Sequence, residues 1–140
     1  MDKLIESIKR HEGFRDRVYL DSENKPTCGW GHYLWVGSKV PLEACEAFFK
    51  QDIADAVASY RTILPHLRRR LNVNRARVVT EMIFNMNVQK VLQFKKMWDA
   101  IEVEDFEEAS NCMLDSKWAT QVGQRAVELA EIMRHGQEAV

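Results

Sequence analysis

Several things are scarce in these 140 residues, and each scarcity excludes something. There are three cysteines, Cys28, Cys45 and Cys112, an odd and widely spaced set. That is neither a disulfide framework nor a zinc pattern, so free, buried thiols made in a reducing compartment are expected. Three prolines and six glycines leave no flexible linker or low-complexity stretch, and no internal repeat is found. Neither sign of charge dominates: 20 Lys and Arg face 21 Asp and Glu, for a net charge of −1. No global field therefore draws in nucleic acid or an anionic wall. No run approaches the ~20 apolar residues of a membrane helix. The opening Met1-Asp2-Lys3-Leu4-Ile5-Glu6 lacks the basic segment and apolar core of a signal peptide. The expected place of the chain is the cytoplasm, with no stable membrane association.

What is present is 46% hydrophobic and 29% charged, the balance of an ordinary globular protein. The length suits one compact domain or two lobes sharing a core. Asp2 is a candidate N-cap for a first helix, with Leu4, Ile5 and Ile8 on one face and Gly13 as its stop. Arg17–Asp21 alternates like a strand. Ser22–Pro26 is rich in turn residues, and Thr27–Leu34 reads as a returning strand or strands that the glycines allow to bend. Pro41 opens a helix over Leu42–Tyr60, and Leu64-Pro65 breaks it. Arg75–Met86 reads as the central core helix, through Val78, Val79, Met82, Ile83 and Met86. Val91–Ala100, Phe106–Asp115 (opened by Asp105) and Glu128–Gln137 read as further helices. The class is α+β, mainly α.

Two features carry candidate function. Arg68-Arg69-Arg70, with Arg75 and Arg77, is either a patch for a polyanion or a solvated face between helices. The second reading is preferred, because nothing aromatic or glycine-rich interleaves the arginines. The other feature is His11–Leu34. It places Glu12 at a helix end, Asp21 at the close of a strand, Thr27 six residues on, then Gly29-Trp30-Gly31 and His32. Breaking a glycosidic bond needs a proton donor on the leaving oxygen and a second carboxylate across the sugar; Glu12 and Asp21 are candidates, with the Thr27 hydroxyl to hold water. A helix C-terminus disfavours negative charge, which together with partial burial suits a carboxyl that must keep its proton near neutral pH. The plainer alternative is a solvated helix-end charge and a turn aspartate.

The spacing resembles the active-site segment of the phage-type lysozyme (muramidase or endolysin) family. There a glutamate precedes a glycine, an aspartate follows nine residues on, a threonine six after that, and G-x-G-H comes next. The resemblance implies a lysozyme-like domain over 1–140. A small N-terminal lobe (about 13–60) would carry the β-hairpin. A long helix would join it to a larger helical lobe (61–140), on which residues 1–12 would pack. It implies hydrolysis of the β-1,4 bond between N-acetylmuramic acid and N-acetylglucosamine, with inversion. Glu12 would be general acid, Asp21 with Thr27 would activate water, and no cofactor or metal is called for. By the same resemblance Tyr19, Gly31, Asn85, Trp118 and Arg125 contact substrate or surround the catalytic glutamate, Arg125 by touching it. His32 and Asp52 form a structural ion pair.

The implied partner is a peptidoglycan glycan strand, with no nucleic acid. The chain would act as a monomer, made in a host cytoplasm and released to the cell wall in the periplasm through a holin lesion. Two departures stand out. Asn87 occupies a helix end where the family usually has glycine, and the stretch between His32 and Asp52 is shorter than in the longest relatives. The rival readings are a lysozyme-like module that holds peptidoglycan without cutting it, a nucleic-acid binder using Arg68–Arg77, and a lytic transglycosylase.

Overall fold

The computed structural model describes residues 1–137. It is α+β and mainly helical, with two compact units dividing at Ala44/Cys45. The first unit opens with α1 (Asp2–Glu12). Its N-cap is Met1, with no side-chain cap, so Asp2 serves as a first-turn acid rather than as the expected cap. Gly13 does end it, at φ 70°, with its N–H on the Lys9 carbonyl. Leu4, Ile5 and Ile8 lie on α1 and all three are exposed.

Three antiparallel strands follow: β1 (Arg15–Leu20), β2 (Pro26–Gly29) and β3 (His32–Tyr33), in that order across the sheet. β1 starts two residues earlier than the alternation suggests. A bulge between Arg15 and Tyr19 explains this, since an extra residue hides the period of two. The β1–β2 register is Tyr19 opposite Thr27 and Leu20 opposite Pro26; β2–β3 sets Thr27 opposite Tyr33.

The second unit holds most of α2 (Leu42–Thr62), then the short α3 (Pro65–Arg68) and α4 (Val73–Met86). It continues through α5 (Val88–Leu92), α6 (Lys95–Glu102), α7 (Phe106–Leu114), α8 (Lys117–Val122) and α9 (Gln124–His135). Its core gathers Val78, Val79, Met82 and Ile83 of α4 with Val91, Met97, Ile101, Met113 and Met133. Asn72, Asp105 and Ser116 cap α4, α7 and α8, each accepting the backbone N–H three residues on, which satisfies donors a helix start otherwise leaves open. The single helix expected over Val91–Ala100 is in fact two. Phe94 interrupts it, and the Trp98 indole N–H takes the Val91 carbonyl at 3.0 Å. The final helix begins at Gln124, four residues before its expected start, because Gly123 opens a new turn at φ 59°.

None of the three cysteines is in a disulfide and none is buried: Cys45 is exposed, and Cys28 and Cys112 are half-buried. Burial, with Glu108 beside it, still pushes the Cys112 thiol up. The arginine run is mostly structural. Arg68 Nε donates to the Ile63 carbonyl and Arg70 reaches Glu104 at 4.0 Å.

Asn87, between α4 and α5, has φ 77° and ψ 162°, a region that is essentially glycine's. Its side chain pays part of that strain back by accepting the Lys90 N–H. Glycine would relieve about 1–3 kcal/mol of strain, lose a few tenths from the cap and about 0.4–1 from the freer unfolded chain. The expected result for Asn87→Gly is a gain of about 1 kcal/mol, or roughly 4 °C in Tm by calorimetry. An unchanged or lower Tm would mean that the cap outweighs the strain.

Candidate functional site

Glu12 is the last residue of α1, and the helix stop at Gly13 turns the chain into β1. Its carboxylate lies directly against Gly31. A Cβ added at Gly31 would fall 2.6 Å from Glu12 Oε2 and 2.9 Å from Cδ. Gly31, at φ 75°, is therefore required twice: by its backbone and by the acid seated on it. The carboxylate has no ion pair or hydrogen bond among the described residues, and the residue is exposed. The partial burial expected of it is thus not found.

Asp21 and Thr27 meet at the β1–β2 turn, as a hairpin should bring them. Asp21 Oδ1 accepts the backbone N–H groups of Glu23 (2.9 Å) and Lys25 (2.8 Å). The turn is closed by the Asp21 N–H on the Lys25 carbonyl, with Asn24 at φ 63°. The Thr27 hydroxyl donates to that same Lys25 carbonyl at 2.9 Å, and Thr27 is only 4% exposed. One oxygen of Asp21 is fixed by the turn, which leaves Oδ2 without a partner among the described residues. Thr27 has given its one proton away, so its oxygen can only accept. Two acceptors of this kind can take both protons of a single water and present its lone pair.

Tyr19 is the cross-strand neighbour of Thr27 and is half-buried, with the Arg15 guanidinium 4.5 Å from its ring. His32 is exposed on β3 of the first unit, and Asp52 is exposed on α2 in the second.

In the helical unit, Asn85 and Trp118 are joined. The Trp118 indole N–H donates to Asn85 Oδ1 at 2.6 Å. An indole can only donate, so the amide's orientation is fixed and its NH2 is the end left for a ligand. Asn85 itself is exposed. Trp118 is 6% exposed and packs edge-on to Phe94, so its ring is core and not an open binding face. Arg125 Nε meets Glu81 Oε1 at 3.1 Å, a partner that sequence reasoning missed. The pair lies on a groove of about 690 Å³ between α2 and α4, lined by Phe49, Ile53, Tyr60 and Phe84.

Among the described residues no group of three His, Cys, Asp or Glu is placed to hold a metal, and no helix is long and apolar enough to cross a membrane.

Comparison with known proteins fits this arrangement. The family model described as "Phage lysozyme" matches residues 9–137. The chain is 28% identical to the pre-baseplate central spike protein of Enterobacteria phage T4, over 95% of this chain but 28% of that protein. It is 25% identical to probable T4-type lysozyme 1 of Dictyostelium discoideum, over 97% of this chain and 96% of that one. It is 30% identical to an endolysin of Acyrthosiphon pisum secondary endosymbiont phage 1, over 62% and 59%. The chain thus spans under two thirds of two of these relatives and nearly all of the third. The Dictyostelium alignment runs to 163 positions against 140 residues here, so that relative carries segments this chain lacks.

Proposed function

Since the chain belongs to the phage lysozyme family, we propose that it hydrolyses the β-1,4 bond between N-acetylmuramic acid and N-acetylglucosamine in peptidoglycan, as an endolysin. The observation that carries this reading is the seating of the Glu12 carboxylate on Gly31, in the same compact unit as the Asp21–Lys25–Thr27 turn.

Glu12, seated on Gly31, gives a proton to the leaving glycosidic oxygen. Asp21 Oδ2 and Thr27 Oγ1 receive the two protons of a water. As that water attacks the anomeric carbon, one proton passes to Asp21. A water placed this way attacks from the face opposite the leaving group, which gives inversion and asks for carboxyls roughly 6.5–9.5 Å apart. Tyr19 and Gly31 contact the bound sugar, and the Asn85 amide, aimed by Trp118, donates to it. Arg125, paired with Glu81, is left out of the chemical step. No cofactor enters.

The same reading makes residues 1–140 one lysozyme-like domain with α1 packed on the helical lobe. It also makes the protein a monomer that accumulates in a host cytoplasm and reaches the wall through a holin-type lesion.

The test is release of reducing ends from purified Gram-negative peptidoglycan by the parent chain and by Glu12→Gln, which keeps the shape and removes the acid. Release by the parent and none by the variant is the expected result. Equal release by both would remove Glu12 from the mechanism. Anhydro-muramic ends in place of reducing ends would make the chain a lytic transglycosylase.

A further inference from the structure

The sheet unit exposes more aromatic surface than its fold needs. Two ring pairs stand on it: Phe14–Trp30, with centroids 4.6 Å apart, and Tyr33–Trp35, at 4.8 Å and an interplanar angle of 31°. The first pair is already engaged, since Lys9 Nζ sits 4.3 Å over the Trp30 ring. The second is open. Tyr33 is 37% and Trp35 54% exposed, and among the described residues no cation lies over Trp35.

The position of the open pair gives it meaning. Cross-strand partners share a face of the sheet. Tyr19 is opposite Thr27, and Thr27 is opposite Tyr33, so the three form one row with Thr27 in the middle. Trp35 lies two residues past Tyr33, beyond the end of β3, with its ring against that of Tyr33. Lys25, whose carbonyl holds the Thr27 hydroxyl, places its Nζ 5.1 Å from the Tyr33 ring and 2.9 Å from Glu23.

We propose that Tyr33 and Trp35 form a stacking platform for one pyranose ring of a β-1,4-linked N-acetylhexosamine strand, next to the sugar held at Thr27. The inference rests on the hydrolase reading for the identity of that neighbouring site. In a β-1,4-linked pyranose the hydroxyl, acetamido and linkage groups lie around the rim. Each ring face is a patch of weakly positive C–H bonds. The face of an aromatic ring is the negative part of its quadrupole, so the two surfaces attract. They also shed water from apolar area that the free protein leaves wet. With centroids 4.8 Å apart and planes 31° from parallel, the two rings lie offset-stacked, so Tyr33 backs Trp35 and the outer ring face is the seat. Beside it, the Lys25–Glu23 ion pair, with Lys25 over the Tyr33 ring, offers donor and acceptor capacity to the polar groups of the rim. A buried core pair would have neither the exposure nor the charged edge.

The experiment compares the parent chain with Tyr33→Ala, Trp35→Ala and Trp35→Phe. Calorimetric titration with the hexamer of β-1,4-linked N-acetylglucosamine reads affinity. KM and kcat on glycan strands freed of their peptides read the same contact in turnover. Both alanine variants should weaken hexamer binding and raise KM by about tenfold, with kcat within about twofold and Tm unchanged. Trp35→Phe, which keeps a ring face, should restore most of the affinity. Unchanged affinity in Trp35→Ala overturns the platform, as does a parent chain that does not bind the hexamer. A loss of affinity that tracks a fall in Tm and is not restored by phenylalanine assigns the pair to packing, and overturns it as well. If the parent releases no reducing ends but binds the hexamer in a Trp35-dependent way, the hydrolase reading fails while the platform stands.

Discussion

Replacing Gly31 by alanine should cut kcat about a hundredfold while costing the fold only about 1–2 kcal/mol. Two effects are combined at this residue, and they fall on different observables. The first is backbone strain: φ is 75°, and a side chain there costs roughly 1–2 kcal/mol. The second is the clash. The new Cβ would sit 2.6 Å from Glu12 Oε2, and a carboxylate at the end of a flexible side chain can move aside at little energetic cost. The fold therefore survives, but the acid leaves its place, and a displacement of about 1 Å can cost about a hundredfold in rate. Gly29→Ala separates the two effects. Gly29 has φ 63°, yet nothing lies within 4 Å of the Cβ it would gain. It should lose similar stability and keep kcat. Measuring Tm and kcat for both variants decides the matter. Equal kcat losses would show that the strained turn, and not the seat of Glu12, controls activity.

Arg75→Ala should lower the stability of the helical unit by about 3–4 kcal/mol. Arg75 Nε and Nη2 donate to the Met133 and Arg134 carbonyls at 2.7 and 3.0 Å, and the guanidinium lies 3.5 Å over the Phe106 ring. Asn72 and Asn74 add donors to the Gly136 carbonyl at 2.9 and 3.1 Å. The beginning of α4 thus satisfies the carbonyls that the end of α9 leaves open, with a cation where the helix dipole is negative. Burial lowers the guanidinium's pKa, against the pull of Glu104. These acceptors take over part of the hydration that the guanidinium loses. Each charge-assisted bond is worth about 1.5–3 kcal/mol, and the ring contact adds about 1. Lysine keeps the charge but not the planar fork, so Arg75→Lys should recover less than half. Urea unfolding checks both: the midpoint should fall with the slope unchanged. A loss below about 1 kcal/mol in Arg75→Ala would show that the asparagines suffice.

What the sequence shows and what it hides divide along physical lines. The Glu12–Gly13 stop, the Asp21 turn and the Asp105 start of α7 were legible, because each depends on residues within a few positions of one another. The family of the site followed from those spacings. Arg75 was not legible. Read beside Arg68-Arg69-Arg70 it looks like part of a solvated basic face, since its acceptors lie 58 and 59 residues away. The break at Phe94 was hidden because no glycine or proline marks it, and the Val91 carbonyl there accepts both the Phe94 N–H and the Trp98 indole N–H. Trp118 was expected at the substrate by the family resemblance, which left open where its polar N–H edge would point. The structure turns that edge to Asn85 and buries the ring. Tyr33 and Trp35 were visible as letters, but their meaning depends on the Thr27–Tyr33 register, which spacing alone does not fix.

The clasp between α4 and α9 has a consequence for the order in which the protein is made. Asn72 and Arg75 leave the ribosome early, and their acceptors follow 58 to 64 residues later. Until α9 has been synthesised, the start of α4 lacks the carbonyls it caps, and the helical unit cannot close. The sheet unit has no such wait, since its widest pairing is Arg15 with Gly29. Local pairings close a short loop at small entropic cost, and distant ones close slowly. The segment that carries Glu12, Asp21 and Thr27 is thus the part of the molecule able to take shape during translation, ahead of the helices that follow it.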